Sequence, residues 1–323
     1  MKFVLAPMAG FTDAAFRLMC SQGGADLTYT EMVSAAALAH GHSPSDLLLE
    51  TMPGEGPVAC QIFGAEPGDI AAATRRISSV ASRFVELNLN AGCPMKKITA
   101  CGAGAKLVED PDKIARLIAV MKEITSLPVT LKTRLGPNPA RTAVFEIIDA
   151  AQAAGVDGIT LHARYTSQCH GGMVHLDLLA EAVARARVPI TGNGSVTDAK
   201  SAAEMAQTGV DALMIGRAAL ANPFVFTQLR DALAGRNESA PREDSIVSCA
   251  RHLRYLLSFR EQIARNFPAL RTPSPDAFAS VKMHTHLFRY FNGRPGAAAM
   301  RARLNSIRTL REINDIISAS WTK

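Results

Sequence analysis

Cys93 is the cysteine whose sequence surroundings most clearly indicate chemistry. It lies between Gly92 and Pro94, directly after a short apolar run, and Lys96 and Lys97 follow at once. Glycine and proline on either side predict a tight loop, and nearby cations favour the thiolate form of a thiol. Such a thiol can act as a nucleophile or as a proton donor, although a free cysteine is more often a small buried hydrophobe.

Other apolar runs also end in polar side chains that could meet a ligand. Lys132 lies within an apolar run, where an unpaired ammonium is costly to bury, so we expect it to contact an electron-rich group such as a cofactor that becomes negative on reduction. Gln61 and Asn90 could give directional amide contacts to a heterocycle, and His162 could be a donor or general acid. Each of these side chains alone could equally well form hydrogen bonds to nearby backbone groups. Because several polar side chains lie at the ends of different apolar runs, a shared site is favoured.

Two later runs end in glycines, in Gly192-Asn193-Gly194 and in Gly216-Arg217. Glycine lets backbone N–H groups approach an anion closely, and the loops after the last two strands of a (β/α)₈ barrel commonly bind phosphate. Either glycine pair alone is typical of an ordinary turn. Both together favour a phosphate site, to which Arg217 would add charge.

The elements that must position these residues alternate along the first 234 residues. Strands are predicted at 3–8, 27–32, 57–64, 84–90, 128–135, 158–164, 189–194 and 212–217. Helical patterns separate them, with boundary signals at Asp110-Pro111, Asp198, Gly155 and Gly209. This alternation, with no GxGxxG after the first strand, predicts an α/β fold of the (β/α)₈ TIM-barrel type, whose active face lies at the carboxyl ends of the strands.

The end of the chain differs in both pattern and charge. A polar segment at 235–241 predicts a linker between a barrel domain at 1–234 and an all-helical domain at 242–323, with helices at 243–266, 275–291 and 296–319. Residues 242–323 carry 14 Lys and Arg against 6 Asp and Glu, whereas the rest of the chain is nearly balanced. The asymmetry favours a polyanionic partner, although a solvated helical surface explains it equally well.

Composition excludes several classes of protein. A hydrophobic share of 48% and a charged share of 20% are typical of a folded globular chain. No apolar run is long enough for a membrane helix or suits a signal peptide, and the six cysteines form no CxxC pair, so we expect a cytoplasmic protein without disulfides. Cys169, His170 and His175 lack a third correctly spaced ligand, and no metal is expected.

The motifs together resemble those of the tRNA-dihydrouridine synthases of bacterial type, flavoenzymes that reduce uridine to dihydrouridine in tRNA. They are LAPMAGFTD at 5–13, NAGCPMKK at 90–97, KTRLG at 132–136, HAR at 162–164, NG at 193–194 and MIGR at 214–217. They follow the order of the family across the whole predicted barrel, and the helical tail stands where the family carries its tRNA-binding domain. The element around Cys93 is the most specific of them.

The resemblance implies FMN as cofactor and NADPH as reductant. The residues that it assigns to FMN are Ala6, Pro7, Met8, Gln61, Lys132, His162, Asn193, Gly194, Ser195, Gly216 and Arg217. Those that it assigns to the substrate are Asn90, Arg164, Lys97, Arg301 and Arg303, with Cys93 as the catalytic proton donor. Asn88 and Ser195 stand where the family commonly has acidic residues, so no carboxylate role is carried over to them.

The implied reaction passes hydride from flavin N5 to C6 of a D-loop uracil, while Cys93 protonates C5. The uracil must first leave its stack, so a separate grip on the RNA is needed. Candidates for this grip are Arg251, Arg254, Lys282, Arg289, Arg294, Arg301, Arg303 and Arg308. We expect a monomer.

Two alternatives remain open. The first is a flavin-dependent barrel oxidoreductase that acts on a small pyrimidine, against which the basic tail argues. The second is a non-catalytic barrel that binds RNA or phosphate, against which the presence of Cys93, Lys132 and His162 argues.

Overall fold

Parallel strands form a nearly closed barrel in the computed structural model, which describes residues 1–41, 43–236, 243–293 and 297–319. The strands are β1 (Lys2–Leu5), β2 (Thr28–Tyr29), β3 (Val33–Ser34), β4 (Val58–Phe63), β5 (Glu86–Ala91), β6 (Val129–Arg134), β7 (Gly158–His162), β8 (Ile190–Asn193) and β9 (Ala212–Ile215). Their order is β1-β9-β8-β7-β6-β5-β4-β2, and a bridge between Val4 and Leu27 links the two ends of this path. The predicted (β/α)₈ fold is confirmed.

The strand predicted at 27–32 is longer than the one observed, because β2 covers only Thr28–Tyr29 and a second short strand, β3, begins at Val33, just beyond the predicted end. Both β2 and β3 pair with β4. Between them the backbone N–H of Gln61 donates to the side-chain oxygen of Thr30 at 3.0 Å. A side chain therefore takes the place of a main-chain acceptor, which interrupts the ladder.

Helices surround the barrel and begin and end near the predicted signals. They are α1 (Ala14–Gln22), α2 (Ala35–Ala39), α3 (Ser43–Asp46), α4 (Pro67–Ser78), α5 (Lys96–Thr99), α6 (Pro111–Ile124), α7 (Val144–Ala153), α8 (Leu176–Arg185), α9 (Ala199–Ala206) and α10 (Val225–Leu233). Asp110 and Asp198 cap α6 and α9, since their carboxylates accept the N–H groups of Lys113 and Ser201. Gly155, at φ +82°, takes the left-handed conformation just beyond α7.

The tail contains α11 (Ser245–Asn266), α12 (Pro275–Tyr290), α13 (Ala297–Ser306) and α14 (Leu310–Ala319). The single helix predicted at 296–319 is therefore wrong. Thr309 and Glu312 form a capping box in which each accepts the other's backbone N–H, at 2.9 and 3.2 Å, and this starts a new helix. Most of the predicted linker, residues 237–241, lies outside the described residues, as do residue 296 and Arg294.

The tail helices share a hydrophobic core with the barrel rather than standing apart from it. Leu256 of α11, Met283 of α12 and Ile313 of α14 belong to one buried cluster with Ala15 and Leu18 of α1. Since α1 directly follows the loop after β1, the tail packs beside that loop. No helix among the described residues combines the length and apolar composition that a membrane span needs.

Candidate active site

The carboxyl ends of the strands surround a cavity of about 450 Å³, within the size range of cofactor sites. The cavity is lined by thirteen of the seventeen residues that the sequence assigned to a site. These are Ala6, Pro7, Met8, Asn90, Cys93, Lys132, His162, Arg164, Asn193, Gly194, Ser195, Gly216 and Arg217. Four others do not line it: Gln61 is buried behind it, and Lys97, Arg301 and Arg303 are exposed elsewhere.

The loops after β8 and β9 have the geometry of an anion cradle. Gly194 has φ +128°, and a Cβ there would lie 2.8 Å from Val174 Cγ1 and 3.2 Å from His162 Cδ2, so only glycine fits. Ser195 also has a positive φ, +54°. Among the described residues none accepts a hydrogen bond from the backbone N–H of Ser195 or Arg217. These N–H groups are therefore available to a phosphate, with the Arg217 guanidinium beside them.

Lys132 reaches across the barrel to the cradle. Its Nζ donates to Asn193 Oδ1 at 3.1 Å, and Asn193 Nδ2 in turn donates to the carbonyl of Met214 at 2.8 Å. Burial, and then the positive charge of Arg134, lower the pKa of Lys132 to about 7, although Cys93 partly opposes the decrease. An anionic ligand in the cavity would restore the charged form.

His162 is neutral in this environment. Burial lowers its pKa well below the ordinary value, and the charges of Lys132, Arg134 and Arg164 lower it further. Arg164 Nη1 lies 3.3 Å from His162 Nε2, and because a guanidinium only donates, Nε2 accepts and Nδ1 carries the proton. His162 can thus donate a neutral hydrogen bond, but this environment disfavours its role as a cationic acid.

Arg164 contacts protein groups rather than pointing freely into the cavity. Its Nη2 donates to the carbonyl of Gly172 at 2.8 Å and to Ser195 Oγ at 2.7 Å. These bonds hold the segment that follows β7 against the cradle. Arg164 therefore stabilises the wall of the cavity, whether or not it also contacts a substrate.

The Cys93 loop is fixed by its neighbours. Asn90 Oδ1 accepts the backbone N–H groups of Gly92 and Cys93 at 3.1 and 3.0 Å. The N–H of Ala105 donates to the Cys93 carbonyl at 2.9 Å, and a Cβ on Gly104 (φ +60°) would lie 2.7 Å from that oxygen. The half-buried Cys93 side chain is thereby held at the cavity wall.

A chain of side-chain hydrogen bonds runs from Asn90 into the barrel. Asn90 Nδ2 donates to Gln61 Oε1 at 2.8 Å, Gln61 Nε2 donates to Asn88 Oδ1 at 2.7 Å, and Asn88 Nδ2 donates to Thr130 Oγ1 at 2.7 Å. Gln61 is fully buried and supports Asn90 from behind. Its expected contact with a cofactor stays a prediction, since Gln61 lies behind the cavity lining.

The sequence analysis did not place three residues at the cavity that line it, although it named Arg289 as a candidate for the RNA grip. Arg134 and Lys132 are two residues apart on β6 and therefore share a strand face, a signal that was available. Arg134 Nε donates to the Gly92 carbonyl at 2.6 Å. His170 lies against His162 with ring centroids 6.1 Å apart, and Arg289 reaches the cavity from α12. Neither of these two positions has a signal in the strand pattern.

A second polar cluster lies outside the cavity, where α11 and α12 meet α1. Asp13, His252 and His286 are all buried, and their donor atoms lie within 4.8 Å of one another. Asp13 Oδ1 also accepts the N–H of Phe16 at 3.0 Å as the N-cap of α1. Of the groups in the described part of the chain, this one alone has the donor spacing of a metal site, so the expected absence of a metal stays a prediction.

Comparison with known proteins decides the family. A model of the family described as Dihydrouridine synthase matches residues 4–319. The tRNA-dihydrouridine synthase B of Klebsiella pneumoniae is 33% identical over 230 residues, which are 71% of each chain. The probable tRNA-dihydrouridine synthase of Treponema pallidum is 36% identical over 238 residues, 71% of this chain and 70% of its own. The chain belongs to the dihydrouridine synthase family.

The barrel is shared with a more distant protein. Morphinone reductase is 12% identical and superposes with a TM-score of 0.50 over 76% of this chain and 88% of its own. That likeness agrees with the barrel fold. The family match confirms the resemblance drawn from the motifs and the expectation of an enzyme.

Proposed function

We propose that this protein reduces specific D-loop uridines of tRNA to 5,6-dihydrouridine, with FMN as cofactor and NADPH as reductant. One observation carries the proposal: Cys93 shares a cavity with Lys132 and with the cradle after β8 and β9, in a chain of the dihydrouridine synthase family. The two relatives compared above are named for the same reaction on tRNA.

The residues present fit FMN. The cradle at Asn193, Gly194 and Ser195, with Gly216 and Arg217, would hold the ribityl phosphate through backbone N–H groups and a guanidinium. Ala6, Pro7 and Met8 line the cavity and would pack against the flavin ring, which His162 would flank. When bound, FMN would supply hydride-transfer chemistry, with NADPH as the reductant and uracil as the acceptor.

Two side chains do the remaining chemistry. Lys132 would place a positive charge beside the flavin, where it stabilises the negative charge left by reduction. Cys93 would give its thiol proton to C5 of uracil, and Asn90, which fixes the Cys93 loop, would help to orient the base. Removal of the Cys93 proton donor should therefore leave cofactor binding intact.

The basic tail would supply the grip on RNA. Arg301 and Arg303 are exposed on α13, and Lys97 is exposed on α5 just beyond the Cys93 loop. Clustered Lys and Arg favour a polyanion because binding releases its counterions. A uridine turned out of its stack could enter the barrel mouth while the tail holds the rest of the tRNA.

The deciding experiment is a dihydrouridine map of unmodified tRNA incubated with the purified protein, FMN and NADPH. We expect dihydrouridine at a discrete D-loop position. Oxidation of NADPH without dihydrouridine would overturn the proposal and favour a small pyrimidine as the substrate.

A further inference from the structure

The cavity is strongly electropositive. Its lining residues in the described part of the chain include five cations and no Asp or Glu; the cations are Lys132, Arg134, Arg164, Arg217 and Arg289. Cations without carboxylates favour anionic ligands, and a cleft of one charge raises their local concentration. More than one anionic group can therefore be accommodated.

Protein groups already engage most of these cations. Lys132 donates to Asn193, Arg134 to the carbonyls of Gly92 and Tyr165, and Arg164 to Gly172 and Ser195. Arg217 lies at the cradle and is assigned to the phosphate of the cofactor. Arg289 remains: it is exposed, and no group among the described residues pairs with its guanidinium.

Arg289 differs from the other four because it belongs to the tail. It lies in the last turn of α12, and this helix contacts the loop after β1 and the turn after β9, both of which contribute residues to the cavity lining. Thr285 Oγ1 donates to the Gly10 carbonyl at 3.4 Å, and the rings of His286 and Phe11 meet edge to face at 5.2 Å. The helix also packs against the turn at Arg217–Leu220. Its backbone is thus fixed relative to the Cys93 cavity.

A uridine that enters this cavity base-first must leave its own phosphates at the mouth. An unpaired guanidinium on a rigid helix there would bind one of them bidentately. We propose that Arg289 is a positioning residue that holds a phosphodiester next to the target uridine and so keeps the base extruded. This inference rests on the proposed function and names the point where the tail acts on the reacting nucleotide.

The test compares Arg289→Ala and Arg289→Lys with the wild type and with Arg116→Ala, a matched charge loss on the outer helix α6. For Arg289→Ala we expect kcat/KM for tRNA to fall about tenfold or more and the dependence of log affinity on log salt to become shallower by about 0.7 to 0.9, the change for one lost phosphate contact. Arg289→Lys should recover part of the loss. Flavin content and tRNA-free NADPH oxidation should match the wild type, and Arg116→Ala should be unchanged in every assay.

Unchanged kcat/KM for tRNA in Arg289→Ala would overturn the inference. So would an equal loss in tRNA-free NADPH oxidation, because Arg289 would then serve the nicotinamide nucleotide. The wild-type protein separates the two hypotheses. If the wild type forms no dihydrouridine, the proposed function fails. If the wild type forms dihydrouridine and Arg289→Ala is equally active, only the inference about Arg289 fails.

Discussion

Asn90 Nδ2 donates to Gln61 Oε1 at 2.8 Å, and this bond fixes the direction in which the Asn90 amide faces. Gln61 cannot turn over without losing its own bond to Asn88 Oδ1. Asn90 Oδ1 is therefore directed at the backbone N–H groups of Gly92 and Cys93. Gln61, which is buried on β4, thus fixes the loop after the neighbouring strand β5, and this loop carries the Cys93 thiol.

Replacing Asn90 should disturb this loop more than the cofactor. Asn90→Ala leaves the N–H groups of Gly92 and Cys93 without their acceptor, so we expect at least a tenfold slower formation of dihydrouridine and a loss of stability of about 1 to 3 kcal/mol. Alkylation of Cys93 by iodoacetamide should become faster, while the flavin spectrum stays unchanged. Gln61→Met, which keeps the volume but removes the supporting oxygen, should show the same changes to a smaller extent. Wild-type rates in Asn90→Ala would show that the loop holds without its cap.

Cys93 and Cys101 provide a matched pair for the proton-donor assignment. Both are free, but Cys93 lines the cavity, whereas Cys101 is exposed and its thiol faces the Lys97 carbonyl at 3.5 Å. Cys93→Ala should bind FMN and oxidise NADPH normally but form dihydrouridine roughly 10² to 10⁴ times more slowly, the usual contribution of a general acid. Cys101→Ala should keep wild-type activity. Full activity in Cys93→Ala would assign the proton to another group.

The sequence predicted the barrel, and it located the cavity, because strand ends with polar residues converge by topology alone in a barrel of this type. It did not predict the direction of individual side chains. Gln61 and Asn88 are register partners on β4 and β5, and their side-chain amides hydrogen-bond to each other inside the barrel. The sequence alone does not give this register, so it could not predict that the two side chains face each other. Arg289 was one of eight candidates for the RNA grip, but its place at the cavity could not be predicted, since it depends on how α12 packs against the loop after β1. The start of a new helix at α14 could have been predicted from the sequence, because Thr309 and Glu312 have the spacing of a capping box.

Lys132 should make the stability of the flavin-free protein depend on pH. Its pKa is about 7 in the folded protein, below the ordinary value of about 10.4 in an unfolded chain. Between these values the unfolded state binds more protons, so stability rises with pH, by no more than about 1.4 kcal/mol per unit for one proton. Lys132→Met removes this contribution. In urea unfolding from pH 6 to 9, the stability of Lys132→Met relative to the wild type should therefore decrease as pH rises, and a constant difference would contradict the assignment.

Asp13 should matter for the packing of the tail on the barrel. It caps α1 through Phe16, and its Oδ1 lies 3.9 Å from His252 Nε2 on α11. Asp13→Ala removes both interactions, and loss of the cap alone costs about 0.5 to 2 kcal/mol. Asp13→Asn keeps a capping oxygen but removes the charge, so it should lie between Asp13→Ala and the wild type in chemical denaturation. Equal stability of Asp13→Asn and Asp13→Ala would mean that the charge facing His252, and not the cap, dominates.

Arg301 and Arg303 test the RNA grip away from the cavity. Both are exposed on α13, so reversing their charge should not disturb a core. Arg301→Glu with Arg303→Glu should weaken tRNA binding at least tenfold near 0.1 M salt, and less at higher salt, where counterion release contributes less. The control with the same charge change is Arg116→Glu with Arg187→Glu, two exposed positions in the barrel part of the chain, on α6 and between α8 and β8. Flavin absorbance should be normal in both double variants. If tRNA affinity is unchanged at low and at moderate salt, Arg301 and Arg303 do not face the RNA and the grip must involve other candidates of the tail.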